Sequence, residues 1–283
     1  MTAQNLAASV KARLLAKARA ANADYSLFLT RYALERLLYR LSISSHSERF
    51  LLKGALLFDL WFDAPLRPTR DVDLLGFGSA EIPEIASAFG DVCRTPAEDG
   101  IQFNSDSIRV DEIRKEANYA GLRVKLNGQI DTALCTVQVD IGYGDAVTPE
   151  PELAKYPTLL EEFPAPRLRV YPRYTVVAEK LEAIIALGMI NTRLKDYFDL
   201  WMILRSSDLD PIVLRQAVTA TLRRRNTPLP DTLPLGLSEE FASNSQKVIQ
   251  WNAFVSRNKL SAPPLSDTVS EIRKHLDFLL ATN

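Results

Sequence analysis

The sequence predicts an α+β protein: a sheet with flanking helices in the N-terminal half, followed by a helical C-terminal domain. Three observations predict it. Short alternating apolar runs, the mark of half-buried strands, recur between about residues 70 and 141. The segment from Thr148 to Pro172 then gathers Pro149, Pro151, Pro157, Pro164, Pro166 and Pro172, and reads as a linker. Beyond it the apolar residues recur with the 3.6 period of helices. The expected domains are residues 1–150 and 173–283.

The elements follow in order. Leu6 to Ala20 reads as an amphipathic helix with Val10, Leu14 and Leu15 on one side. Ser26 suits the cap of a second helix, whose apolar face runs through Leu27, Phe28, Tyr32, Leu34, Leu37, Leu38 and Leu41. The interleaved Arg31, Arg36 and Arg40 read as its solvated face. Phe50 to Leu57 is an apolar run broken by Gly54, with helical spacing after the glycine. Asp71 to Leu75 reads as a short strand closed by Gly76 and Gly78, and Glu81 to Phe89 as a helix with Pro83 near its start. Strands are expected at Ile101–Phe103, Ser107–Val110, Gly121–Leu126 and Thr136–Ile141, with a hairpin turn at Asn127-Gly128. In the C-terminal half, Thr175 suits a helix cap, Gly188 a helix end, and Lys195 to Leu204, Pro211 to Arg223 and Ser266 to Leu280 read as helices.

Composition narrows the function classes. The chain has 283 residues, 47% of them hydrophobic, enough for one large or two ordinary cores. Its formal net charge of −1 and pI near 6.2 mean that nucleic acid would have to be held by local basic patches. Two cysteines, Cys93 and Cys135, fit no metal-ligand spacing and suit a reducing cytoplasm. Two histidines, His46 and His275, lie far apart and argue against histidine-based zinc chemistry. No apolar run reaches the roughly 20 residues needed to span a bilayer, and no signal-peptide core opens the chain. The expectation is a soluble cytoplasmic protein.

Chemistry concentrates first in Arg67-Pro68-Thr69-Arg70-Asp71-Val72-Asp73. On a strand, Asp71 and Asp73 share a face while Val72 and Leu74 point oppositely. Two carboxylates so placed repel unless a cation sits between them, and a hard ion such as Mg²⁺ meets that need. An isolated pair of this kind also occurs in solvated turns. Upstream, Gly54 at the start of a helical segment would let phosphate approach backbone N–H groups. Downstream, Gln138 and Asp140 share one face of their strand while Val137, Val139 and Ile141 share the other. An adjacent strand would therefore set Asp140 beside Asp71 and Asp73, the carboxylate cluster of two-metal phosphoryl transfer.

Helix start, arginine-bearing turn and D-x-D strand form the layout of a nucleotidyltransferase core. The chain resembles the AbiEii-type nucleotidyltransferases, the toxins of type IV toxin–antitoxin systems, MenT toxins included. The stretches that carry the resemblance are Lys53-Gly54-Ala55, Arg67 to Leu74, Val137 to Asp145, Ala178-Glu179-Lys180-Leu181-Glu182-Ala183 and Asn191 to Leu200. One departure is Ala55, where such enzymes carry Ser or Gly after the glycine. The resemblance implies a mixed sheet of nucleotidyltransferase type and transfer of a nucleoside monophosphate from a nucleoside triphosphate. It implies a tRNA 3′ end as acceptor and growth arrest relieved by a cognate antitoxin. It implies Asp71, Asp73 and Asp140 as Mg²⁺ ligands, and Lys53, Gly54, Arg67, Thr69 and Lys180 around the triphosphate. Asp196 would orient Lys180 or accept a proton, with Asp199 a weaker candidate.

By composition alone Lys180 reads as a snorkelling side chain, and Asp196 and Asp199 as carboxylates favoured near a helix start. Arg193 and Lys195 are candidates to touch phosphate or RNA. Arg223-Arg224-Arg225 is the densest basic run and the strongest candidate RNA contact, though arginines also favour a helix end. Two rival functions remain open at this point: nucleotidylation of a small molecule or a protein, and a non-catalytic nucleotide- or RNA-binding module on the same fold.

Overall fold

The computed structural model of the chain describes residues 3–62, 69–115, 119–228 and 232–280. They divide into two units, Met1–Gly144 with Glu152–Val170, and Asp145–Pro151 with Tyr171–Asn283. The first unit holds α1 (Ala3–Ala20), α2 (Tyr25–Ile43), the short α3 (Phe58–Trp61) and α4 (Ile82–Arg94). Its strands are β1 (Phe50–Lys53), β2 (Asp71–Gly76), β3 (Gln102–Lys115), β4 (Tyr119–Ile130), β5 (Ala133–Tyr143), β6 (Glu152–Lys155) and β7 (Arg167–Val170).

These seven strands form one mixed sheet in the order β3-β4-β5-β2-β1-β7-β6, with β2 parallel to β5 and β1 parallel to β7. Strand alternation gives the sheet two unlike faces. Val72, Leu74, Leu122, Val124, Val137, Val139 and Ile141 are buried, on the side where α2 meets β5 and α4 meets β3. The opposite side carries the polar residues of β2, β4 and β5.

Four expectations about the first unit need correction. Asp24, not Ser26, caps α2: its carboxylate accepts from Ser26 N at 2.8 Å. Arg36 and Arg40 are buried rather than solvated. Arg40 forks onto Asp99 at 2.7 and 3.0 Å, while Arg36 lies among the rings of Tyr32, Tyr39 and Phe163 and donates to Pro164 O at 3.0 Å. Such pairing is what lets a guanidinium leave water. Asn127-Gly128 is not a turn but lies inside β4, where Asn127 faces Thr136 and Gly128 faces Cys135. The reversal comes at Asp131-Thr132, with Asp131 at φ +53°. Finally, the proline-rich segment is not a linker, because its prolines flank β6 and β7, which pair antiparallel.

The second unit is helical: α5 (Arg173–Leu187), α6 (Leu194–Ser206), α7 (Pro211–Arg224), the short α8 (Glu239–Ser243), α9 (Ser245–Arg257) and α10 (Leu265–Leu280). Val177, Leu181, Ile184, Tyr197, Phe198, Leu200, Phe241, Trp251 and Ile272 fill its core. Helix α5 begins two residues before Thr175, behind Pro172. Thr175 does not cap it; its hydroxyl exchanges hydrogen bonds with the backbone of Thr148, both at 2.9 Å. Gly188, at φ +47°, ends the helix as expected. Among the described residues no helix is long and apolar enough to cross a membrane.

The buried acid of α2 gives the first unit a pH response. Glu35 accepts from Leu159 N at 2.6 Å, and burial, partly offset by Arg36, raises its pKa from 4.5 to about 7. A carboxyl raised in the folded state binds its proton more tightly there, so stability is lost as pH climbs from 4.5 to 7. The loss from this group should reach about 3 kcal/mol. Urea unfolding at pH 5, 6.5 and 8 should show the decline, and Glu35→Gln, which keeps an acceptor for Leu159, should flatten it.

Candidate active site

The parallel pairing of β2 with β5 sets Asp73 directly beside Asp140 and Asp71 beside Gln138. On one side Lys53 of β1 is the register partner of Asp73; on the other Arg123 of β4 is the partner of Asp140. Neighbours in register share a sheet face, so Lys53, Asp73, Asp140 and Arg123 form one row, with Asp71, Gln138 and Lys125 in the next. The strand spacing brings together all three carboxylates expected at the site, on the face away from α2 and α4.

Each is held differently. Asp71 Oδ1 accepts from Thr69 Oγ1 at 2.8 Å. Asp73 stands against Gly54, which has φ +74° and lies where a Cβ would fall 2.1 Å from Asp73 Oδ2. The glycine is therefore required twice over, by its backbone angle and by the carboxylate beside it. It starts a 3₁₀ turn, Gly54–Leu57, that runs directly into α3, so the helical segment expected after the glycine is present. Asp140 is buried, and its two oxygens accept from Arg123 Nε and Nη2, both at 2.8 Å. That bidentate fork raises the Arg123 pKa, burial opposes it, and the charges of Asp140, Asp71 and Asp73 add to the rise. Among the described residues no three Asp, Glu, His or Cys side chains are gathered as a metal-ligand set. The donor chemistry nonetheless suits a hard cation: Asp71 and Asp73 offer oxygen only, and the missing Cβ of Gly54 is what lets the Asp73 carboxylate sit against that backbone. Arg67 lies outside the described residues.

Arg123 is the residue that sequence reasoning missed. Strand alternation places it on the polar face, but the misplaced turn pairs it with Thr132 instead of Asp140.

In the second unit, Lys180 of α5 reaches both acids of α6, with Nζ 2.9 Å from Asp196 Oδ1 and 2.8 Å from Asp199 Oδ2. Arg193 Nε adds an ion contact at 2.7 Å to Asp196 Oδ2. Burial works to raise the Asp196 carboxyl, but Lys180 and Arg193 outweigh it and hold its pKa below the ordinary range. Asp196 and Asp199 thus hold the Lys180 ammonium between them. Lys195 is exposed beside them.

The arginine run splits. Arg223 and Arg224 are exposed and, with Arg215, Gln216 and Thr219, line an open groove of about 820 Å³ on α7. Arg225 turns inward, against its reading as an RNA contact. It meets Glu182 at 2.7 Å, Asp145 at 3.4 Å and Glu179 at 3.5 Å. Burial would lower its pKa, yet these acids raise it. Arg225→Gln removes the cation shared by three acids and should cost about 2–4 kcal/mol in chemical denaturation. Replacing the exposed Arg223 by Gln should stay within about 0.5 kcal/mol of the parent.

The family model described as nucleotidyl transferase AbiEii toxin, type IV TA system, matches residues 36–281. No curated protein sequence matches the chain. Its fold is similar to the crystal structure of JHP933 from Helicobacter pylori, with a TM-score of 0.53 and 16% identity over 90% of this chain and 92% of that one. A further H. pylori crystal structure, described as a candidate nucleotidyltransferase, gives a TM-score of 0.50 and 16% identity over 90% and 95% of the two chains.

Proposed function

Because the chain belongs to the AbiEii nucleotidyl transferase toxin family of type IV toxin–antitoxin systems, we propose that it transfers a nucleoside monophosphate from a nucleoside triphosphate to the 3′ end of a tRNA. The reaction is magnesium-dependent, takes place in the cytoplasm, blocks translation and is relieved by a cognate antitoxin. The observation that carries this reading is the in-register row of Lys53, Asp73, Asp140 and Arg123 with Asp71 beside it.

Asp71, Asp73 and Asp140 are the residues that would hold the metal. Bound there, Mg²⁺ supplies charge for the polyphosphate and lowers the pKa of the attacking hydroxyl. The acceptor oxygen attacks the α-phosphorus in line. As that O–P bond forms, the bond to the bridging α,β oxygen breaks, and pyrophosphate leaves with the electron pair. Asp140 takes the proton from the attacking hydroxyl. Lys53, Thr69, Gly54 with the amides after it, and Arg67 hold the triphosphate, and Lys180 meets the charge that develops on the leaving group. Most of the catalysis in this scheme is positioning and charge stabilisation. With a net charge of −1, RNA is held by local cations: Arg193, Lys195 and the α7 groove of Arg215, Arg223 and Arg224.

Incubation with total RNA, Mg²⁺ and each labelled nucleoside triphosphate in turn should label tRNA 3′ ends. Asp71→Asn and Asp73→Asn should abolish the label with the fold retained, and Lys180→Ala should slow transfer by roughly 10²–10³. Label on protein or on small molecules would replace the RNA acceptor with another. Triphosphate binding without transfer would make the protein a binding module.

A further inference from the structure

The proposed chemistry and the structure make different demands on Asp140. A metal ligand must turn at least one oxygen toward the ion, yet both Asp140 oxygens are bound by Arg123 at 2.8 Å, and Gln138 Nε2 adds a contact at 3.3 Å to Oδ1. The carboxylate is almost fully buried while the guanidinium side chain is 33% exposed. The acid is fixed by its strand, and the arginine is the partner with room to move. Arg123 also shares the polar sheet face with Asp73 in its own row and Asp71 in the next. Three carboxylates on one sheet face need positive charge whether or not a metal is bound, and Arg123 supplies it from within the chain.

We propose that Arg123 is the built-in counter-ion of Asp140 in this row, and that a divalent cation completes its ligand set only by displacing Arg123 from Asp140. The inference rests on the magnesium-dependent reading above, and adds to it a competition between arginine and metal for one carboxylate. A bidentate arginine–carboxylate pair is among the stronger protein hydrogen-bonded contacts, so the competition is large enough to measure. It makes metal binding weaker than the three carboxylates alone would give. It also commits Asp140 to the metal only once the ion has arrived.

The test is calorimetric titration of Mn²⁺ into the full chain and into Arg123→Gln, Arg123→Lys, Lys125→Gln and Asp71→Asn, each checked for folding by circular dichroism. Arg123→Gln should bind Mn²⁺ about tenfold or more tightly than the parent, the scale of one lost charged hydrogen-bond pair. Arg123→Lys, which keeps the charge but loses the fork, should fall between. Lys125→Gln removes a positive charge from the next row without touching Asp140, and should stay within about threefold of the parent. Weaker or unchanged binding in both Arg123 variants would overturn the proposal, since an arginine that merely props Asp140 predicts that result. Equal tightening in Lys125→Gln would also overturn it, reducing Arg123 to one charge among several. Binding that Asp71→Asn leaves intact would remove the metal site itself, and the proposal with it.

Discussion

The register between β2 and β5 is the constraint on which the site depends. The side-chain period of a strand is two, so a slip of one residue in either strand would put Asp140 on the opposite face from Asp71 and Asp73, and would turn either Val72 and Leu74 or Val139 and Ile141 outward. Each of those four apolar side chains is buried to 2% exposure or less. Burying one contributes about 1.5–3 kcal/mol. Repulsion between two carboxylates a few ångströms apart costs about 1 kcal/mol in water and about 4 at the effective dielectric of a protein surface. Even the two side chains turned outward by one such slip, worth about 3–6 kcal/mol together, match or exceed that cost. The hydrophobic face therefore holds together three acids that would otherwise separate, and Arg123 removes part of the remaining strain.

Much of this was legible in the residues. The D-x-D alternation, the glycine at 54, the third aspartate on an alternating strand and the helical second half all follow from periodicities of two and 3.6. What failed to show was long-range partnership. Asn127-Gly128 is a strong local turn signal, but tertiary packing overrides it: a Cβ at Gly128 would lie 2.9 Å from Ile101 and 3.1 Å from the Phe103 ring. The glycine serves close packing between β3 and β4, not chain reversal. Moving the turn four residues along is what turns Arg123 from a surface residue into the partner of Asp140.

The same limit governs the arginines of α2. Helical spacing identified an apolar face and assigned Arg36 and Arg40 to water by charge alone. Arg40 instead meets Asp99, distant in sequence, and Arg36 meets three aromatic rings and a loop carbonyl. The strands at 152–155 and 167–170 were hidden for a related reason. Proline density marks a segment that avoids helices, but it is compatible with short strands when the prolines fall outside them. Both cases turn on partners that periodicity within one element cannot name.

Two clusters in the helical unit combine cations and acids in different proportions. Arg225 is one cation facing Asp145, Glu179 and Glu182, and its ion pairs tie α7 to α5. In the other cluster Asp196 and Asp199 are nearly inaccessible, at 2% and 0% side-chain exposure, while Lys180 reaches 14% and Arg193 44%. Here the acids form the buried base and the cations the outer end. An anion approaching this cluster meets positive charge whose position is already fixed, so little reorganisation is needed on binding.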